Sequence, residues 1–184
     1  MQTNTLSSGK PEASEYAPYY DQYISLVQGS DVVGCLEQQV TSTVELLSAL
    51  TESQGNHRYA PDKWSIKQVI GHLSDGERIF SYRAMRIARA DRTPLASFEQ
   101  NDFVANGPFE RCRLADLVDE FASIRRATVH LFRQLDEAAW TRRGTASENE
   151  ISVRALAYII AGHELHHRGV LKEKYLTAAA RSAR

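Results

Sequence analysis

Histidines stand where a helix should carry its apolar seam. In the segment from Ala155 to Lys174, the positions Leu156, Ile160, His163, His167, Leu171 and Lys174 follow a 4-3-4-3 spacing. That spacing makes one stripe of a helix. A polar group in such a seam costs roughly 1–3 kcal/mol unless it finds a partner. A metal ion is a partner that satisfies both rings at once. Histidines at i and i+4 project from one face a turn apart, so both reach a single ion.

A catalytic metal needs a third ligand and an open position. His72 is the candidate. It lies on the flank of an apolar stripe in a second helix, seven residues from its start, so roughly 11 Å in. A lone histidine on an apolar face is more often a hydrogen-bonded core residue, and the pair on one stripe carries the metal argument. His166 turns off the stripe; His57 and His130 have no partner in sequence. His163-Glu-Leu-His-His167 also satisfies HExxH. A metalloprotease reading is disfavoured, because only a short segment follows His167 and no strand is evident to hold a peptide.

Glu77 interrupts the seam between Leu73 and Phe80, and Glu164 adjoins His163. A carboxylate in a core must be paired, metal-linked or protonated. One reading is a structural salt bridge, for instance with Arg168 or an arginine of the second helix. The other is a general base, or an acceptor for a ligand imidazole. Arg83, Arg86, Arg89 and Arg92 end the same helix. They are read as cations favoured by the helix dipole, or as a clamp for an anionic ligand, with Arg83 the candidate contact.

Four long amphipathic segments must position these groups. They are expected at about Ser30–Leu50, Ser65–Ala90, Arg113–Leu135 and Ser152–Thr177. Ser30 and Ser152 are expected N-caps, and Ser65 with Gln68 makes a capping box. Helices of ~21–26 residues, matched in length, argue for an all-α four-helix bundle. The connection from Asp91 to Cys112 is long and carries Leu95, Phe98, Phe103, Val104 and Phe109. Such a link can cross the whole bundle, which allows parallel second and third helices and an up-down-down-up order; up-down-up-down is the competitor. Its segment from Phe98 to Asn106 is expected to help wall the site, with Asn101, Asp102 and Asn106 at the rim. Residues 1–15 are expected to form a disordered tail, 16–177 the bundle domain with a strap from Tyr16 to Val27, and 178–184 a second tail.

The 184 residues carry a net charge of -1 and 42% hydrophobic residues, which suits one globular domain and gives no electrostatic case for nucleic acid or membrane binding. No apolar run approaches the ~18 residues that span a bilayer. The N-terminal segment lacks the basic and apolar regions of a secretory signal, so a cytoplasmic protein with Cys35 and Cys112 reduced is expected. Leftover apolar surface makes a homodimer plausible.

The stretch from Tyr59 through Lys63-Trp-Ser to His72, followed by His163-x-x-x-His167, resembles the DinB/YfiT-like metalloenzyme family. The resemblance extends from about Tyr20 to Tyr175, through Asp91-Arg-Thr-Pro-Leu, Asn101-Asp-Phe-Val-Ala-Asn and Ser152-Val-Arg-Ala-Leu-Ala-Tyr. It implies a four-helix bundle of up-down-down-up topology. It also implies zinc or nickel on His72, His163 and His167. Family members include S-transferases and isomerases that use low-molecular-weight thiols such as bacillithiol and mycothiol, beside metal-dependent hydrolases. The expected function is therefore activation of a thiol or of water for attack on a small electrophile. The alternative is a non-catalytic, metal-stabilised bundle that binds or senses a small ligand, for which a fourth protein ligand such as Glu77 would speak.

Overall fold

The structure is a computed structural model and describes residues 9–177. Eight α-helices occur among them: α1 (Asp21–Ile24), α2 (Val32–Ser48), α3 (Glu52–Gly55), α4 (Ile66–Ala88), α5 (Gln100–Asn106), α6 (Leu114–Arg133), α7 (Glu137–Thr141) and α8 (Val153–Val170). The four long ones, α2, α4, α6 and α8, form the bundle expected from the sequence. α8 continues through a π-helical segment, Leu171–Leu176. No helix among the described residues is long and apolar enough to cross a membrane.

The helix starts follow from their side chains. The Gln68 N–H donates to Ser65 Oγ at 3.2 Å, and Gln68 Oε1 accepts from the Ser65 N–H at 2.9 Å. The two bonds satisfy donors that the first turn leaves open. Ser152 caps α8, accepting from the Ala155 N–H at 3.0 Å. At α2 the cap is Asp31, which accepts from the Gly34 N–H, rather than the expected Ser30. A carboxylate there also complements the helix dipole.

Two apolar clusters give the helix directions. One joins Leu47 late in α2, Ile66 and Leu73 early in α4, Leu114 and Phe121 early in α6, and Leu171 with Tyr175 beyond α8. The other joins Val32 and Leu36, Phe80 and Ile87, Val129 and Phe132, and Val153 through Ala161. So α4 and α6 run parallel to each other and antiparallel to α2 and α8. This is up-down-down-up. α4 packs on α6 and α8, and α2 packs on the same two. The connection between the parallel helices spans the bundle, since its Leu95 joins one cluster and its Val104 and Phe109 the other.

A hairpin follows α7, where the sequence showed no strand signal. Strands β1 (Arg143–Ala146) and β2 (Asn149–Ser152) pair antiparallel. Their two-residue turn, Ser147-Glu148, has both residues at positive φ, 49° and 64°. That is the backbone hand that matches the twist of a tight hairpin. Leu95 of the crossover adds a short parallel bridge, donating to Thr145 O at 2.9 Å and accepting from the Ser147 N–H at 3.0 Å.

The expected tails lie partly outside the described residues, at 1–8 and 178–184. Residues 9–15 are not loose. A 3-10 turn, Ala13–Glu15, buries Glu15, which accepts from Ser152 Oγ at 2.7 Å and from the Arg154 guanidinium. The strap after it buries Tyr16, Tyr23, Ile24 and Val27 against α8. Its approach is close enough that a Cβ at Gly162 would overlap the Tyr23 carbonyl.

Candidate metal centre

The second turn of α4 and the C-terminal half of α8 bring three imidazoles together. The ring nitrogens available for binding on His72, His163 and His167 all lie within 4.8 Å of one another. His72 Nε2 and His163 Nε2 are 3.0 Å apart. His72 and His163 are buried and His167 is half-buried. Burial, and then the neighbouring imidazoles, disfavour the protonated forms. His72 is pushed down to about 4, His167 to about 3, and His163 well below its ordinary value. All three are therefore neutral at pH 7, the state in which imidazole donates a lone pair to a metal. Trp64 tilts against His72 with ring centroids 4.8 Å apart, and Tyr23 stands edge-on to His163 at 5.3 Å. His166 points off the cluster, edge-on to Tyr23. His57 and His130 take no part in it.

The two seam glutamates have a different partner from those expected. Arg125 of α6 donates from Nε and Nη2 to the two oxygens of Glu77, both at 2.8 Å. Its Nη1 donates to Glu164 Oε2 and, at 3.2 Å, to Leu36 O. Thr43 Oγ1 donates to the remaining Glu164 oxygen at 2.5 Å. All four carboxylate oxygens are thus engaged in a buried cluster. Burial alone would lower the Arg125 pKa, but the two carboxylates outweigh it and hold the guanidinium protonated. The placement gives Glu77 and Glu164 a structural role rather than that of a free base. Arg125 itself had a sequence signal. It stands four residues after Phe121 and three before Thr128, on the buried stripe of α6.

A cavity of about 270 Å³ opens beside the histidines. The strap supplies Tyr19, Tyr20 and Tyr23, and α4 supplies His72, Gly76 and Phe80. The crossover contributes Ser97 to Gln100, the hairpin turn Ser147, and α8 His163. The crossover therefore walls the site as expected, but with residues 97–100. Asn101, Asp102 and Asn106 do not line the cavity. α5 turns them to solvent, where Asn101 bonds Glu99 and Asn106 donates to Asp102 O. Arg83 lies behind the wall, bonded to Ser147 and Ala96. The arginines beyond it do not form a clamp: Arg86 pairs with Asp91, and Arg89 and Arg92 are exposed.

A family model described as the DinB superfamily matches residues 36–171, a stretch that includes all three histidines. The chain belongs to the DinB superfamily. Among solved structures, this DinB chain is similar to YfiT from Bacillus subtilis, "a probable metal-dependent hydrolase with an unusual four-helix bundle topology". The TM-score is 0.69 at 17% identity, over 92% of this chain and 93% of that one. It is also similar to a mycothiol-dependent maleylpyruvate isomerase, with a TM-score of 0.64 at 11% identity. That match covers 78% of this chain and 60% of the isomerase, so the DinB chain spans about three fifths of it. At these identities the likeness is one of fold. No curated protein sequence matches the chain.

Proposed function

We propose that His72, His163 and His167 hold one divalent cation, zinc or nickel, and that the chain is an enzyme acting on a small electrophile. The observation that carries this reading is the convergence of three neutral, largely buried imidazoles beside an aromatic-walled cavity that His72 and His163 line. Without an ion the cluster has one hydrogen bond, between His72 Nε2 and His163 Nε2, whereas one cation would engage all three rings. When bound, the cation supplies Lewis acidity, lowering the pKa of water or of a thiol that reaches it.

The chain's own residues do the rest. The tyrosines and Phe80 exclude water and hold a flat or apolar ligand against the histidines. Burial raises the Tyr23 phenol well above its usual range, so it stays protonated beside His163 and offers a hydrogen bond to charge developing there. Glu99 is the cavity's own carboxylate among the described residues; one oxygen caps α5, accepting from the Asn101 N–H, and in this reading the other serves as proton acceptor, since Glu77 and Glu164 are engaged by Arg125. The non-catalytic reading called for Glu77 as a fourth ligand, and both Glu77 oxygens belong to Arg125.

Metal analysis of purified protein tests the first half, with one divalent ion per chain expected and none retained by His163→Ala. A low-molecular-weight thiol or water alone, each offered with a small electrophile, then separates transferase from hydrolase. A wild type that binds no divalent ion would remove the basis of the proposal.

A further inference from the structure

The cavity has a second end. Arg83 follows His72, Gly76 and Phe80 along α4, roughly 16 Å of axial rise beyond His72. Its side chain is almost wholly buried, the residue being 2% exposed. Nη2 donates to Ala96 O at 2.6 Å and to Ser147 Oγ at 3.0 Å. The Phe80 and Phe98 rings lie 5.9 and 5.8 Å from its Cζ. Tyr20 is its remaining polar neighbour. Ser147, Phe80, Phe98 and Tyr20 all line the cavity, so the guanidinium sits directly behind the wall they make.

None of these neighbours carries a negative charge. Burial pushes the Tyr20 phenol up, so it remains protonated. No ion pair among the described residues includes Arg83. Buried charges are ordinarily paired. The comparably buried Arg125 has two carboxylates. A merely structural tie between α4, the crossover and the hairpin needs a donor there, not a cation.

We propose that the Arg83 end of the cavity is the recognition subsite for a carboxylate on the ligand, so that the electrophile taken by this site is a small, apolar-bodied monocarboxylate. One guanidinium matches one negative charge, with the hydroxyls of Ser147 and Tyr20 as neutral donors at the wall. A phosphate dianion would bring more charge than one cation offsets. Phe80, Phe98 and the tyrosines suit the apolar body between the two ends. The inference rests on the histidines being the reactive end, but the subsite itself needs no metal.

Calorimetric binding of phenylacetate, phenylacetamide and phenyl phosphate to the wild type, before and after chelation, tests it. Phenylacetate is expected to bind at least about tenfold tighter than the amide, as charge-assisted bonds do over neutral ones, and tighter than phenyl phosphate. The preference should survive chelation and vanish in Arg83→Gln. Equal affinity of acid and amide, binding of neither, stronger binding of the phosphate, or a preference lost with the metal would each overturn it. The wild-type comparison stands even if Arg83→Gln misfolds. Metal binding without acid preference sinks this inference alone; acid preference without metal binding sinks the metal reading alone.

Discussion

At Arg125 one guanidinium serves carboxylates from two helices, Glu77 of α4 and Glu164 of α8. Glu164 adjoins His163 and Glu77 adjoins Gly76, so the cluster fixes the ligand-bearing helices relative to α6. Arg125→Met is expected to cost about 3–5 kcal/mol, because two buried acids lose their cation. Urea denaturation measures it, and Glu77→Gln added to Arg125→Met should recover part of the loss. Asp102→Ala and Asn106→Ala, by contrast, should shift stability by no more than about 0.5 kcal/mol and leave turnover unchanged, since neither lines the cavity. Phe98→Ala should reduce turnover while metal affinity holds. His163, His167 and Glu77 were legible because each breaks an apolar repeat, and His72 and Glu164 because they stand beside one. Arg125 breaks one too, yet it is hidden when the stripe is drawn one residue away, a rotation of about 100° on a helix.

Among the elements, the strap and the crossover supply most of the cavity wall and the hairpin adds Ser147; strap and hairpin differ in how far sequence shows them. The strap's run of tyrosines marks it as something that packs. The hairpin's strands are four residues each, with Ala146, Ile151 and Ser152 buried and charges between them, so no alternation stands out. Gly162 couples the strap to α8. Gly162→Ala is expected to displace Tyr23 and destabilise the fold by about 1–3 kcal/mol through overpacking; weaker metal binding alongside the lower Tm would locate the damage at the neighbouring His163. The strap also carries an acid-sensitive tie. Burial would raise the Glu15 carboxyl, but bonds from Arg154, the Glu12 N–H and Ser152 outweigh it and bring it from 4.5 down to about 2. Between those values the unfolded chain binds more protons, so stability rises with pH there. The contribution is whole above pH 4.5 and disappears as pH falls toward 2. Thermal unfolding across that window should show a shallower pH slope for Glu15→Gln than for the wild type.

For the whole molecule, the three clustered histidines lie between two apolar clusters, one at each end of the bundle. Those clusters, not an ion, hold the helices together. His72→Ala and His167→Ala should therefore keep native helical circular dichroism at 25 °C while losing tight metal binding; an unfolded variant would contradict this. The up-down-down-up order was legible in part in one length, which allowed it but left up-down-up-down as a competitor. Parallel neighbours need a link that spans the bundle, and the segment between α4 and α6 is long and apolar enough to do so. Which of its residues meet the cavity was not legible, because α5 rotates that segment within the crossover. The same molecule also withholds stability at one place. Ser147 and Glu148 keep a left-handed backbone that glycine would adopt without steric cost. Glu148→Gly should raise the Tm, and so should Ser147→Gly, but only Ser147 touches Arg83 and the cavity. A hairpin optimised for robustness alone would have glycine at both positions. If the proposed carboxylate subsite holds, a variant thermostabilised at Ser147 should bind its ligand less well, whereas one changed only at Glu148 should not.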